Sequence, residues 1–256
     1  MSGRQQFETL AQGRFSKDSV KCIFENHERD LPKDSYGIIG LAWDAFQRSH
    51  RAAFDDDLFD VLDFSVRQKL IRIKLGATSY RTFVGTRSTQ FVRSFGTKGI
   101  PNPFAVRVLT RTADEKMVFG LRSEWVQTYA HRLDAPAGFV DRGRDWSDRS
   151  PDPFKAAKRE VEEELQVASD DISDPVCVGV LFDADFDQTV MIFQCHLDSE
   201  AALLKTKTSE FEEIRFVNSS SDSVLRFLRT EKRLISPQCA ESLALWLRRD
   251  RVSPSS

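Results

Sequence analysis

The stretch PDPFKAAKREVEEELQV, residues 151–167, has the pattern of an amphipathic helix with a strong N-terminal signal. Asp152 is a favoured N-cap residue and Pro153 suits the first helical position, so we expect a helix from about Phe154 to Val167. On a wheel of 100° per residue, four apolar residues fall within about 80° and predict the buried face. They are Phe154, Ala157, Val161 and Leu165.

The same helix carries a stripe of three carboxylates. Glu160, Glu163 and Glu164 fall within about 100° of one another, whereas Glu162 points elsewhere. Like charges at these spacings repel by a few tenths of a kcal/mol per pair, and a divalent cation reverses that cost. Oxygen ligands on one helix face suit Mg²⁺ or Mn²⁺, so the stripe predicts a metal site. The alternative is an acidic helix face that is merely solvated.

A glycine turn precedes this helix. The segment PAGFVD, residues 136–141, lies between two strand-like runs and the helix, and the two segments together resemble the Nudix box. The positions that match that box are Gly138, Arg159, Glu160, Val161, Glu163, Glu164 and Val167. The resemblance implies an α/β fold, the Nudix α/β/α sandwich with a mixed sheet. It also implies a Mg²⁺ or Mn²⁺ cofactor on Glu160, Glu163 and Glu164, and hydrolysis of a diphosphate.

The sequence departs from the Nudix pattern at three places. Arg144 stands where the family has its first Glu. The gap from Arg144 to Arg159 holds seven extra residues, supplied around residues 145–151. Gln166 replaces the late glycine.

A second resemblance concerns the stretch LGATSYRTFVGTR, residues 75–87. It is similar to the N-terminal signature of an atypical group of Nudix enzymes that hydrolyse UDP-glucose and UDP-galactose in animals. The positions that carry the likeness are Trp43, Phe54, Asp55, Leu75, Gly76, Thr78, Ser79, Tyr80, Arg81, Phe83, Gly85 and Thr86. The resemblance implies a small-molecule nucleotide-sugar substrate that is cleaved to UMP and hexose 1-phosphate.

Domain organisation follows from the Gly- and Pro-rich segment GTKGIPNP, residues 96–103. We place a boundary there, between an N-terminal extension at 1–100 and a Nudix hydrolase domain at 101–256. The extension is expected to hold a helix from about residue 37 and a β-hairpin from LFDVLDFSV and KLIRIKL. Residues 1 to about 35 are polar and predict an irregular segment with one short helix.

Several side chains are candidates for catalysis and binding. The family resemblance implies that Arg159 orients the carboxylates and that Glu163 is catalytic. Glu210 is a candidate metal ligand or general base, with a surface loop residue as the alternative. Tyr80 and Arg81 are candidates for substrate contact, or they pack the extension onto the main domain.

Two more positions complete this set. Arg122, at the end of a predicted strand, is a candidate phosphate ligand. Gly138 in the turn is expected to lie at the substrate.

Composition excludes several classes of protein. The 256 residues include 37 basic and 39 acidic side chains, a net charge of −2, which argues against a dedicated nucleic-acid binder. No apolar run reaches the roughly 18–20 residues of a membrane helix, and the N-terminus lacks the apolar centre of a signal peptide. The four cysteines are scattered, which predicts reduced, buried thiols in a cytoplasmic protein.

Other activities stay open on the sequence alone. A Nudix enzyme with this metal helix could act on ADP-ribose, NAD-type dinucleotides, coenzyme A or an RNA cap. A Nudix-fold binding module without turnover is the other alternative, which Arg144 and Gln166 favour and the three carboxylates oppose. The oligomeric state has no sequence signal.

Overall fold

The computed structural model of the chain describes residues 6–50, 53–123, 129–208 and 210–250. Within these ranges the strands are β1 Phe7–Phe15, β2 Val20–Glu28, β3 Asp57–Arg67, β4 Leu70–Ser79, β5 Phe104–Arg111, β6 Lys116–Arg122, β7 Leu133–Asp134, β8 Ala137–Phe139, β9 Trp146–Ser147, β10 Ser150–Pro151, β11 Val176–Asp183, β12 Gln188–His196 and β13 Phe211–Asn218. The α-helices are α1 Ser35–Ser49, α2 Tyr80–Thr86, α3 Thr89–Phe95, α4 Pro153–Leu165, α5 Ser221–Thr230 and α6 Pro237–Asp250.

A mixed sheet forms the centre of the molecule. Its strand order is β1-β11-β12-β5-β6-β13, and β12 and β5 run parallel while the other neighbours along this path are antiparallel. Two short strands lie off the path, where β8 pairs with β5 and β7 pairs with β6. The β8 pairing brings Gly138 opposite Val106, so the residue that was expected in a turn lies in a short strand at the centre of the sheet.

Helices cover both faces of this sheet. The apolar face of α4 is buried as its periodicity predicts, with Phe154, Val161 and Leu165 at 6%, 0% and 1% exposure. On the opposite face, Phe227 of α5 and Trp246 of α6 belong to a second core cluster. The α/β/α sandwich with a mixed sheet is therefore confirmed.

The N-terminal helix and hairpin are also confirmed. Strands β3 and β4 pair in antiparallel fashion, and β2 adds to β4 in parallel to complete a three-stranded sheet. Gln68 and Lys69 turn the hairpin with φ of 47° and 65°, the signs that a type I′ turn requires. Phe59 and Ile73 of this sheet share a core cluster with Val161 of α4, so the hairpin supports the side of the molecule that carries the acidic helix.

The expectation of an irregular segment with a short helix over residues 1 to about 35 is wrong. The described part of that segment forms β1, β2 and a single 3₁₀ turn at Lys17–Ser19. Strand β1 lies at the edge of the large sheet, where Ala11 and Phe15 are its buried residues and two register shifts interrupt the alternation. An edge strand with one solvated face lacks the apolar run that would identify it.

The domain boundary at residues 100 and 101 stays a prediction. Because β1 pairs with β11, the large sheet includes a strand from the N-terminal side of that boundary.

Smaller differences concern element ends. Helix α4 ends at Leu165, two residues before the expected Val167, because Gln166 takes a left-handed conformation with φ of 54°. Helix α5 was not predicted from the sequence. All four cysteines are free and buried, as expected. In the described ranges, no helix is long and apolar enough to cross a membrane.

Candidate active site

The start of α4 is fixed by its cap. Asp152 accepts hydrogen bonds from the backbone N–H groups of Phe154 and Lys155 at 3.0 and 3.2 Å, as the sequence predicts. Its other oxygen accepts from Lys17 Nζ and Ser147 Oγ, both at 2.6 Å. Burial opposes ionisation of Asp152, but these hydrogen bonds outweigh it and lower the pKa of the carboxyl. The cap therefore holds α4 in one position against the sheet.

Glu160 lies against Gly138, which the structure places in strand β8 rather than in the turn that the sequence predicts. A Cβ atom at Gly138 would come within 2.3 Å of Glu160 Oε1, so a larger residue there would force this carboxylate to move. Glu160 is 7% exposed, and burial raises its pKa to about 7 although Arg159 acts in the opposite direction. Strand β8 thus comes into direct contact with a buried acid, and a glycine at this position leaves space for the carboxylate.

Glu164 is the most buried of the helix carboxylates, at 1% exposure. Its Oε2 accepts a hydrogen bond from the backbone N–H of Ala137 at 3.2 Å, and its carboxyl is hydrogen-bonded to that of Glu210. Burial and the charges of Glu210 and Glu160 raise the pKa of Glu164 well above its usual value, and Arg122 opposes them. Carboxylates from α4 and from the residue before β13 therefore converge beside strand β8.

Arg159 connects this cluster to the box loop between β8 and α4. Its guanidinium donates to both oxygens of Asp145 at 3.0 and 2.8 Å and to the backbone carbonyl of Phe139 at 3.0 Å. Nη1 also donates to Glu160 at 2.6 Å and to Glu163 at 3.1 Å. Asp145 is fully buried and was not identified from the sequence, because it lies in the expansion that the Nudix pattern lacks.

Glu163 occupies the rim of the site. Its side chain is 47% exposed and its Oε1 accepts from Arg144 Nη1 at 2.9 Å. Arg144 also donates from Nε to Asp141 Oδ2 at 2.9 Å. Arg144, which departs from the Nudix pattern, thus forms an ion pair with Glu163, which matches that pattern.

The extension reaches the same region through Tyr80 and Asp56. The Tyr80 ring packs on Phe139, with ring centroids 5.9 Å apart, and burial raises the pKa of its phenol. The charge of Arg122 lowers the pKa of both Tyr80 and Glu164, so that arginine acts on the extension and on the helix carboxylates alike. Burial and the Asp141 carboxylate raise the pKa of Asp56, so the loop before β3 also borders the site.

Arg81 points elsewhere. Its backbone N–H donates to Asp55 Oδ1 at 2.8 Å, and its Nη2 lies 3.1 Å from the place of a Cβ on Gly40 of α1. Of the predicted positions, the structure therefore gathers Glu160, Glu164, Glu210, Arg159, Arg122, Gly138 and Tyr80, with Glu163 at the rim and Arg81 against α1. The assignment of roles to these residues stays a prediction.

The donor set suits a hard divalent cation by its chemistry, because it consists of carboxylate oxygens, of which Glu160 is paired with Arg159 and Glu164 lies beside Glu210. In the described ranges, however, no group of three or more His, Cys, Asp or Glu side chains is arranged so that it could hold a metal ion. The ion pairs explain this, since Glu160 and Glu163 direct oxygens at Arg159 and Arg144.

No protein-family model matches the sequence, and no curated protein matches it. Similar solved structures include the Nudix hydrolase RenU from M. smegmatis, at 15% identity over 59% of this chain and 88% of that chain, with a TM-score of 0.42. The NUDIX domain of Shewanella oneidensis NrtR, solved with ADP ribose, is 12% identical over 65% and 99%, with a TM-score of 0.43. A C. elegans Ap4A hydrolase is 15% identical over 56% and 98%, with a TM-score of 0.38. Likeness at this level concerns the fold alone.

Proposed function

We propose that the chain is a metal-dependent hydrolase of the Nudix type, which cleaves the diphosphate of a nucleotide sugar. The observation that carries the proposal is the convergence of Glu160, Glu164 and Glu210 beside Gly138, with two of these carboxyls buried and raised in pKa. Buried acids in surplus destabilise a fold unless a cation or a proton compensates them. Clustered acids with strongly shifted pKa values are typical of a functional site.

The proposed roles of the site residues are metal binding, orientation of the carboxylates and proton transfer. Glu160, Glu163 and Glu164 would hold Mg²⁺ or Mn²⁺, which supplies charge neutralisation of the diphosphate and activation of water when it is bound. Arg159 fixes the orientation of Glu160 and Glu163 through its hydrogen bonds. Glu210 would accept a proton from an attacking water, a role that its position beside Glu164 supports.

The substrate assignment rests on the extension. We infer UDP-glucose or UDP-galactose as substrate from the resemblance of residues 75–87, and UMP and hexose 1-phosphate as products. The position of Tyr80 supports contact with the nucleotide, because its ring lies on Phe139, next to Gly138 in strand β8. A net charge of −2 provides no broad basic field, which suits a small dianionic substrate better than capped RNA.

Product analysis tests the reaction. UDP-glucose, UDP-galactose, ADP-ribose, NAD, diadenosine tetraphosphate, coenzyme A and capped RNA are incubated under identical Mg²⁺ or Mn²⁺, and the products are separated by chromatography. We expect the two UDP-hexoses to turn over fastest and to yield UMP. Faster turnover of another substrate would contradict the nucleotide sugar and leave the hydrolase standing. Binding of the panel without turnover of any member would contradict the hydrolase.

A matched pair of variants tests the metal stripe. Glu163→Gln removes a charge and keeps the shape of the side chain, and we expect activity to fall by about 10²-fold because metal-borne charge stabilisation contributes several kcal/mol. Glu162→Gln, one position away and off the stripe, is the control and should leave activity within about twofold. Equal losses in the two variants would contradict the assignment.

A further inference from the structure

Two arginines that contact Glu163 are held in very different ways. Arg159 is 13% exposed and makes five hydrogen bonds, to Asp145, Glu160, Glu163 and the carbonyl of Phe139. Arg144 is 49% exposed and its guanidinium contacts Asp141 and Glu163. Arg159 is therefore fixed in the frame of the site, whereas Arg144 can leave Glu163 at the cost of one exposed ion pair.

Both oxygens of Glu163 are occupied by guanidinium groups. Oε1 accepts from Arg144 at 2.9 Å and Oε2 accepts from Arg159 at 3.1 Å. The more exposed of the two partners is Arg144, so a cation that approaches Glu163 from the solvent side would compete with that guanidinium. The chain thus carries its own positive charge at a position where a divalent cation would otherwise bind.

Asp141 provides a fixed pivot for this movement. Its side chain is 12% exposed, its backbone N–H donates to Asp145 Oδ2 at 2.8 Å, and its Oδ1 accepts from the N–H of Gly143 at 2.5 Å. Arg144 Nε stays bound to Asp141 Oδ2 when Nη1 leaves Glu163, so the guanidinium remains at the edge of the site. A guanidinium in that position suits a phosphate oxygen, which it binds in the same forked geometry as a carboxylate.

We propose that Arg144 is an exchangeable cation, which neutralises Glu163 in the metal-free protein and pairs with a phosphate of the substrate once a metal has taken Glu163. The inference rests on the proposed function for the identity of the substrate, whereas its first step, competition with the metal, concerns this chain alone. Arg144 is then a specificity-determining residue, since its guanidinium becomes available only when the metal is present.

Metal titration without substrate tests the first step. Mn²⁺ binding to the full chain is measured by calorimetry or by the loss of the free-ion electron paramagnetic resonance signal. Arg144→Ala should lower the Kd for Mn²⁺ by about two- to fivefold, the range expected when an exposed competing ion pair is removed. Arg144→Lys keeps the charge and should retain a Kd near that of the wild type. An unchanged or higher Kd in Arg144→Ala overturns the proposal.

Arg142→Ala is the matched control. Arg142 lies two residues away and pairs with Asp57 at 3.1 Å, outside the contacts of Glu163. It should leave the Mn²⁺ Kd unchanged, and a decrease equal to that of Arg144→Ala would overturn the proposal by showing a general effect of net charge. Thermal unfolding of each variant verifies that the fold is intact.

Binding of α,β-methylene-UDP, whose carbon bridge resists hydrolysis, tests the second step. In saturating Mn²⁺, Arg144→Ala should raise the Kd for this analogue by about tenfold, as expected for loss of a charge-assisted contact to phosphate. An unchanged Kd overturns the transfer of Arg144 to phosphate. If the substrate panel shows no hydrolysis while Mn²⁺ still binds more tightly to Arg144→Ala, the proposed function fails and the competition at Glu163 stands.

Discussion

The two faces of the central sheet both bury charge, and they do so differently. On the α6 face, Arg107 and Asp134 form a buried pair, with Arg107 Nε 3.0 Å from Asp134 Oδ1 and exposures of 4% and 1%. Gln238 and Ser236 of the α6 segment bond to the same pair. On the α4 face, the buried Glu164 instead shares a hydrogen bond with a second carboxyl, that of Glu210.

We interpret the buried Arg107–Asp134 ion pair as structural and the buried carboxyls on the α4 face as functional. A buried ion pair with added hydrogen bonds holds elements together, and it is costly to break because one charge would remain alone. Buried acids next to other acids raise the free energy of the metal-free fold and are retained where an additional cation or proton compensates them. Neutralising one carboxylate on each face should therefore have opposite effects on stability.

The largest effect is expected on the α6 face. Asp134→Asn keeps the shape of the side chain but leaves Arg107 as a buried charge without its counterion. We expect the free energy of unfolding to fall by about 3–5 kcal/mol. Denaturant unfolding measures it, and a loss below about 1 kcal/mol would contradict the reading of this pair as structural.

The opposite result is expected on the α4 face. Glu164→Gln removes an acid whose pKa burial and Glu210 raise well above its usual value. We expect the metal-free protein to be stabilised by about 1 kcal/mol and diphosphate hydrolysis to fall by about 10²-fold. Unfolding in the presence of a chelator and product assays with Mg²⁺ measure the two effects. Destabilisation together with unchanged hydrolysis would make Glu164 a structural residue like Asp134.

Sequence periodicity predicted the α4 face better than the α6 face. The cap at Asp152 and the buried face of α4 follow from local rules of spacing, and the structure confirms both. Arg107 and Gln238 are 131 positions apart, and their hydrogen bond depends on how α6 docks on β5, for which the sequence has no local signal.

Asp145 was not predicted as a site residue, because its contact with Arg159 also depends on tertiary structure. Its burial under Arg159 depends on the path of the expanded loop, and a lone Asp in a polar loop has no periodicity to mark it. The sequence predicted Glu210 as a candidate site residue. Its proximity to Glu164 could not be predicted, because it depends on how the loop before β13 packs against α4.

The pH dependence of stability sharpens the comparison further. Burial raises the pKa of Glu160 from 4.5 to about 7, so between these values the folded protein binds more protons than the unfolded chain. The stability that proton binding by Glu160 contributes is fully present below the pKa of this group in the unfolded chain. It is lost as the pH rises through the pKa of Glu160 in the folded protein. From pH 5 to pH 7, we expect the metal-free protein to lose about 2 kcal/mol through this group.

Denaturant unfolding across this pH range in a chelator measures the loss. Glu160→Gln should make the profile less steep, because the variant has no proton to exchange at this position, and the remaining slope comes from other acids with a raised pKa, such as Glu164. A loss of stability in the variant that equals or exceeds that of the wild type would contradict the raised pKa of Glu160.

The smallest effect is expected at the C-terminus of α4, where stability and the carboxylate site can be separated. Gln166 holds a left-handed conformation with φ of 54°, which favours glycine, and its Oε1 accepts a hydrogen bond from Lys205. The left-handed conformation costs an L-residue with a side chain about 1 kcal/mol, and the exposed contact with Lys205 offsets only part of it. Gln166→Gly should therefore stabilise the protein by about 0.5–1 kcal/mol, even though glycine gains more freedom in the unfolded chain.

Gln166→Ala keeps the strain and loses the contact, so as a control it should destabilise slightly. Thermal unfolding of both variants decides the sign, and Mn²⁺ affinity should not change in either, because Gln166 lies beyond the carboxylates. A change in Mn²⁺ affinity that matches the change in stability would show that the end of α4 and the acidic stripe act as one unit.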